Sequence, residues 1–415
     1  SFLLIAESHI AKTDALLLAT ITTIFLILAG YHSGKISVKN NSNFFLLWFL
    51  VAFSFLLKGP IALIIIFMAI IPLAIYERDW KWLTEIRPFY GFLFSFLLVF
   101  PWFFSIISIE GFGFISDSIV NDLWGKVKEE KEGHGAIFGI YTASLWILFW
   151  PFSIFIIPSM FLAWKNKNDK KIRFLIFWLV PSWLLFELLP TKLPHYTLPM
   201  YPAISLMIGV MLNSIKCDEL LNSKFFFFNV FLFILGGIAI ISINFYGLLY
   251  FKNDLSLLDI TISLMFLLLI IFTILVKKYF KTLYFISYIV ILGCITSSLI
   301  FFFYLPKMDQ VWVSNRVAKE IKLNNLMGKG AIIGYHEPSI VFELGTDLEL
   351  ASIESISELV KRKEIKYVIV EEKYDNRLLK NIADDIKQLK FLAEVKGYNL
   401  AKGNKVFLKI YDITY

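Results

Sequence analysis

The chain has 415 residues, of which 58% are hydrophobic and only 18% charged, and its formal charge is +7. That balance excludes an ordinary water-soluble domain. The two cysteines, Cys217 and Cys294, are too few and too differently placed for a disulfide framework or a cysteine metal cluster.

Apolar runs of roughly 15–25 residues recur over about three quarters of the chain, each able to cross a hydrocarbon core as a helix. They predict ten spans, at 15–31, 44–57, 60–76, 90–109, 142–163, 174–189, 197–214, 225–251, 257–276 and 283–304. Helices satisfy their own backbone in lipid, and the alternating pattern of a barrel is absent. The fold class expected is a polytopic α-helical membrane protein followed by a small extracytoplasmic α/β domain. The division expected is 1–305 and 306–415. The chain opens on Ser1 with no signal peptide, which leads us to expect that an N-terminal piece is missing.

Orientation follows from the short loops. Those at 32–43, 77–89, 164–173, 215–224 and 277–282 carry fifteen Lys or Arg, against seven in those at 1–14, 58–59, 110–141, 190–196 and 252–256. The first set is therefore expected in the cytoplasm. It also accounts for the positive charge, so no nucleic-acid partner is expected. The second set, with Asp14, Lys58, the 110–141 loop and the 191–196 turn, is expected on the outer face.

Beyond residue 305 the texture changes. Segments 331–335 and 366–371 read as short buried strands, and 310–326, 355–363 and 376–390 as amphipathic helices. Segments 391–398 and 405–413 read as a hairpin turning at Gly403-Asn404. Alternation of strand and helix points to an α/β layer domain.

Four outer-face stretches carry chemistry. In Thr13-Asp14-Ala15 the carboxylate either caps the following helix or binds a metal or substrate at the bilayer surface. In Lys58-Gly59-Pro60 the cation either snorkels or clamps a phosphate. Gly133-His134-Gly135 ends the longest loop between spans, and a histidine between glycines can be approached closely by a ligand. In Pro190-Thr191-Lys192-Leu193-Pro194-His195-Tyr196 two prolines stop the helices on either side and present a cation, an imidazole and a phenol. No acidic or basic residue lies at the middle of a span and no internal repeat is evident, which disfavours an ion-coupled transporter.

These residues, in this order, resemble the bacterial GT-C glycosyltransferases of the ArnT and protein mannosyltransferase type, with the ArnT-like branch favoured. The resemblance is carried by Ala11-Lys12-Thr13-Asp14-Ala15, Leu57-Lys58-Gly59-Pro60, Gly133-His134-Gly135, the run from Thr191 to Pro199 with Tyr201-Pro202, and Gly334-Tyr335-His336-Glu337-Pro338-Ser339. It implies an enzyme of the inner membrane that moves a sugar from a polyprenyl-phosphate donor to an envelope acceptor. Lipid A or another glycolipid is the acceptor favoured; a protein acceptor is the alternative, and a transporter of lipid-linked sugar a third reading. It implies Lys58, Lys192, His195, Tyr196 and His134 as contacts to the donor phosphate or sugar. Asp14 is implied as a supporting carboxylate, the main catalytic acid of the family being expected upstream of residue 1. No cofactor is certain, and a divalent metal is left open. The His336-Glu337-Pro338-Ser339 stretch has a catalytic reading, but a helix start explains it better.

Overall fold

The computed structural model describes residues 1–36, 41–111, 113, 136–251, 255–326, 328–382, 388–400 and 402–415. Contacts group the chain into two compact units. One comprises 1–241 with 265–297, the other 242–264 with 298–415.

The first unit begins with a short helix, α1 (Phe2–Ser8), inside what the sequence reads as a loop. The long helices follow as α2 (Asp14–His32), α3 (Asn41–Lys58) and α4 (Ile61–Glu77). The short α5 (Lys81–Glu85) leads into α6 (Pro88–Glu110). The segment expected as one span at 142–163 is two helices, α7 (Ile140–Leu148) and α8 (Ile156–Lys165), with a bend of 117° across the break between them. Pro151, which cannot donate a backbone N–H, stands in that break. Next comes α9 (Lys170–Leu188), opened by Asp169, whose carboxylate accepts from the Lys171 and Ile172 amides at 2.8 and 3.1 Å.

The end of α9 is written in prolines. A residue before proline is driven out of the helical region. Leu189, before Pro190, is extended at ψ 139°, and Leu193, before Pro194, at ψ 138°. The expected span at 197–214 accordingly starts as a 3-10 turn, Pro194–Met200, and only then becomes α10 (Tyr201–Leu212). The short α11 (Cys217–Leu220) precedes α12 (Lys224–Phe251), α13 (Leu257–Tyr279) and α14 (Thr282–Ser298). Among the described residues six helices are long and apolar enough to cross a membrane, or seven if the bent pair forms one span. The apolar α4 is 17 residues long, below that threshold, and α9 carries charge at both ends.

The loops sort to the two ends of this unit as their alternation requires. His32, Glu77 and Arg173, from three loops of the cation-rich set, meet at one end. Glu77 accepts from His32 Nε2 at 2.8 Å and from Arg173 Nε at 2.6 Å. Asp14, Lys58 and His195, from three loops of the other set, meet as described below.

The second unit holds a five-stranded sheet. After α15 (Val313–Leu323) come β1 (Gly330–Ile333), α16 (Pro338–Leu344), β2 (Glu349–Ala351), α17 (Ile356–Lys361), β3 (Tyr367–Glu371), α18 (Glu372–Ile382), β4 (Gln388–Asn399) and β5 (Asn404–Thr414). The order is β2-β1-β3-β5-β4, with β1 parallel to β2 and β3, and β5 antiparallel to β3 and β4. Strand side chains alternate between faces. Ile332 and Ile369 pack with Val317 and Ile321 of α15 on one face, and Ala331, Ile333, Val368 and Val370 with Val360 and Leu378 on the other. The hairpin pairs Asn399 with Asn404, so its turn lies around Gly403, at φ +66°. The strand β2 was not read from the sequence, and β4 begins at Gln388, inside the helix expected at 376–390.

A close approach fixes α3 against α6. Gly91 faces the Trp48 indole, whose Nε1 donates to the Ile86 carbonyl at 2.9 Å, while Ser95 Oγ donates to the Trp48 carbonyl at 2.7 Å. A Cβ at Gly91 would lie 1.8 Å from the indole ring. Gly91→Ala is therefore expected to cost about 1–3 kcal/mol by overpacking, read as a lowered thermal midpoint of the detergent-solubilised protein. An unchanged midpoint would show that the indole can yield.

Candidate functional site

Four separate elements bring acid, base and cation together in the first unit. The 3-10 turn carries His195; the start of α2 carries Asp14; α1 carries Glu7. His195 Nδ1 lies 3.8 Å from Glu7 Oε1, and its Nε2 lies 4.0 Å from Asp14 Oδ1. Lys58, the last residue of α3, donates to Asp14 Oδ1. Glu7, Asp14 and His195 are all buried, with 6%, 6% and 9% of their surface exposed. Asp14 also stands in the first turn of α2, where the helix dipole favours a carboxylate.

Glu7 is the residue that the sequence reading missed. It lies seven residues before Asp14, in a stretch taken for a loop; the short helix turns it inward. Its Oε2 has no hydrogen-bond partner among the described residues. Burial pushes its carboxyl above the ordinary carboxylate range. Lys12 opposes that shift, Asp14 adds to it, and Lys58 opposes it.

Lys192 is placed differently from Lys58. It is buried, and its ammonium donates to the Glu187 carbonyl at 2.7 Å and the Leu189 carbonyl at 2.5 Å. These are carbonyls at the C-terminal end of α9, which the helix itself cannot satisfy. An ammonium has three N–H donors, so two of them hold the turn to the helix end. The Tyr196 ring sits 5.1 Å from the His195 ring and 5.8 Å from that of Phe186. His134 lies outside the described residues.

A third carboxylate lies nearby, on the helix that leads into the turn. Glu187, 2% exposed, accepts from the Gly139 amide, the Thr142 amide and Thr142 Oγ1, at 2.9, 2.9 and 3.0 Å. It thereby supplies acceptors for the amides at the start of α7 from a different helix. Its sequence signal was a buried-type acid three residues before Pro190, but only the fold shows what it holds.

Beside this cluster runs an apolar cavity of about 1080 Å³. Its lining starts at Leu4 of α1 and Ala15 of α2, next to Glu7 and Asp14, and reaches Ala29 of α2 and Leu212 of α10. Along α2 that is about 21 Å at 1.5 Å per residue. The wall is mostly aliphatic and aromatic, with Phe25 and Trp178 stacked at 4.2 Å.

In the second unit, His336, Glu337 and Ser339 are wired into the sheet domain. His336 Nε2 contacts the Ile332 carbonyl at 3.1 Å. Glu337 accepts from Asn399 at 2.7 Å, and Ser339 bonds Ser314 at 2.8 Å. Pro338 begins α16, as the helix-start reading expected.

No family model matches the chain. By structure it is similar to ArnT from Cupriavidus metallidurans bound to undecaprenyl phosphate, with a TM-score of 0.67 and 13% identity over 98% of this chain and 77% of that one. The fold is thus ArnT-like, mostly helical, with apolar helices long enough to cross a membrane and a small sheet domain. By sequence the chain is 28% identical, over 50% of its length and 50% of the relative's, to an uncharacterized protein of Aquifex aeolicus. It is 26% identical, over 45% of its length and 33% of the relative's, to the undecaprenyl phosphate-alpha-4-amino-4-deoxy-L-arabinose arabinosyl transferase of Serratia proteamaculans. The chain spans at most about half the length of these relatives.

Removing the Glu187 carboxylate is expected to orphan three donors. Glu187→Ala should lower the thermal midpoint by the equivalent of about 1–3 kcal/mol; a wild-type midpoint would mean that water replaces it without loss.

Proposed function

We propose that this chain belongs to a membrane glycosyltransferase that uses a polyprenyl-phosphate-linked sugar. The observation that carries the reading is the meeting of Asp14, Lys58 and His195 beside one end of the long apolar cavity. A polyprenyl donor makes two opposite demands on one site. Its chain needs a dry apolar groove, and its phosphate needs cations where charge develops on departure. Both are met within a few residues of Asp14. The ArnT fold and the sequence likeness to arabinosyl transferases support the same reading.

In this reading an acceptor oxygen attacks the anomeric carbon, the bond from that carbon to the phosphate oxygen breaks, and polyprenyl phosphate leaves with the electron pair. Lys58 is assigned to the phosphate. Lys192 is assigned to it as well, through the N–H not used on Glu187 and Leu189. His195 and Tyr196 position sugar or phosphate, His134 belongs to the pocket rim, and Asp14 holds Lys58 and supports the catalytic acid. The acceptor favoured is lipid A or another envelope glycolipid. The face carrying the site, and the domain formed by the C-terminal residues, are assigned to the outer side of the inner membrane, in keeping with the Lys and Arg count of the loops.

The test is transfer by the full-length protein carrying Lys58→Ala or Asp14→Ala. Each is expected to lower kcat/KM by about 100-fold or more, in line with removing a group that stabilises transition-state charge. Wild-type transfer by both would overturn the assignment. Lys192→Ala should lower transfer and, because it strips a helix end of its donor, the thermal midpoint too.

The groove has its own test. A Cβ at Gly209 would meet nothing within 4 Å, although Gly209 lines the cavity. Gly209→Phe should therefore fold normally and raise KM for long-chain donors, while donors too short to reach it keep theirs. Equal effects on both would move the prenyl chain elsewhere.

A further inference from the structure

The tip of the β4–β5 hairpin stands against the end of a helix long enough to cross a bilayer. α12 has 28 residues. At 1.5 Å per residue it is about 42 Å long, against a hydrocarbon core of roughly 30 Å. Its ends therefore fall at headgroup level. Its last two residues, Tyr250 and Phe251, meet Tyr398 of β4, with ring centroids 6.2 and 5.3 Å apart. Tyr246 stacks on Tyr250 at 6.0 Å, and the ammonium of Lys405 on β5 lies 5.8 Å over the Tyr250 ring. Tyrosines suit the membrane–water boundary, where an apolar ring and a polar tip each find their own medium. The hairpin tip is thus carried at the level of the bilayer surface.

Two further observations say what the tip meets. The first is composition. Between Val395 and Val406 the chain carries three lysines and no acid. Lys396 is paired with Glu394 at 3.5 Å. Lys402 and Lys405 are exposed and make no ion pair among the described residues. Leu400 beside them is 62% exposed. An exposed leucine next to two ammonium groups matches a lipid surface, with acyl chains beneath and phosphates above. The second is rigidity. The Tyr398 hydroxyl donates to the Gly403 carbonyl at 2.7 Å, and the Lys402 amide donates to Asn399 Oδ1 at 3.1 Å. Asn399 Nδ2 in turn donates to Glu337 at 2.7 Å, tying the turn to the body of the sheet domain. A braced turn loses little freedom on docking.

We propose that the hairpin tip, through Tyr398, Leu400, Lys402 and Lys405, anchors the sheet domain to anionic phospholipid of the leaflet in which α12 ends. Leu400 enters the boundary of the acyl chains, and the ammonium groups of Lys402 and Lys405 take the lipid phosphates. Tyr250 and Phe251 continue the contact onto the helix. The sheet domain then has two attachments to the bilayer: the chain that enters it after α14, and this tip. One attachment leaves a domain free to swing; two fix its orientation over the surface. The inference does not depend on the sugar-transfer reading.

The experiment uses the full-length protein in nanodiscs of phosphatidylcholine alone or mixed with phosphatidylglycerol. Cys217 and Cys294 are replaced by alanine. A spin label is attached through Leu400→Cys or, as a water-exposed reference on α17, through Glu358→Cys. Collisions with oxygen, which concentrates among acyl chains, and with a water-soluble nickel chelate report immersion. In mixed-lipid discs the label at 400 should be oxygen-rich and nickel-poor, and the label at 358 the reverse. Lys402→Gln with Lys405→Gln should return the label at 400 to its behaviour in phosphatidylcholine, each lysine changing the ratio of immersed to free tip about fivefold. The wild-type chain gives a readout without substitution: amide exchange around Leu400 should be slower in mixed-lipid discs than in phosphatidylcholine. A label at 400 that nickel reaches as freely as at 358 overturns the anchor. Immersion or exchange that is equal in the two lipids, or immersion unmoved by the lysine substitutions, overturns the anionic partner and the proposal with it. A label shielded from both reagents would mean that a protein surface covers the tip, which also overturns it.

Discussion

Two carboxylates buried side by side at one end of a helical bundle set the terms for everything near them. Glu7 and Asp14 lie under the surface of a chain made mostly of Phe, Leu and Ile. An uncompensated charge there would cost several kcal/mol. Lys58 answers part of that cost by donating to Asp14, and His195 stands between the two acids. The helix ends are therefore not free to splay. α1, α2, α3 and the 3-10 turn must arrive together, and residues next to Glu7 and Asp14 line one end of the apolar cavity.

The opposite end of the same unit repeats the logic with different chemistry. His32, Glu77 and Arg173 form a partly buried hydrogen-bonded trio, with His32 also against the rings of Trp82 and Phe174 at 5.2 and 5.4 Å. This trio engages every polar atom of the Glu77 carboxylate. The acid cluster at the other end leaves one oxygen of Glu7 without a hydrogen bond among the described residues. That contrast is why one end reads as a structural clasp and the other as a place for a ligand. Lys192 belongs between the two cases: a cation expected to face a ligand spends two of its three donors on the end of α9.

Much of this was legible in the residues. Long apolar runs require helices in lipid, and the prolines at 190 and 194 forced the break that positions His195. Short apolar runs within 331–335 and 366–371 announced buried strands. Loop charge grouped Asp14 with Lys58 and the 191–196 turn, and these three do meet. The number of spans was harder. The run at 142–163 is apolar throughout, but a bend of 117° depends on what α7 and α8 pack against, with Trp150 stacked on Phe233 at 5.3 Å. The three-residue β2 pairs with β1 through backbone groups, which periodicity over so few residues does not reveal.

What the sequence by itself determined is the class of molecule, the side-grouping of its loops and the polar turns of the second loop set. Each follows from local chemistry: transfer of apolar side chains from water, proline's missing donor, and the placement of Lys and Arg. Only the tertiary structure decided that Glu7 joins Asp14 and His195, that Glu187 feeds the start of α7, and that Lys192 is bound to its own helix end. These depend on which helix ends converge within a few ångströms, a matter of packing between segments up to nearly 190 residues apart that no local pattern encodes.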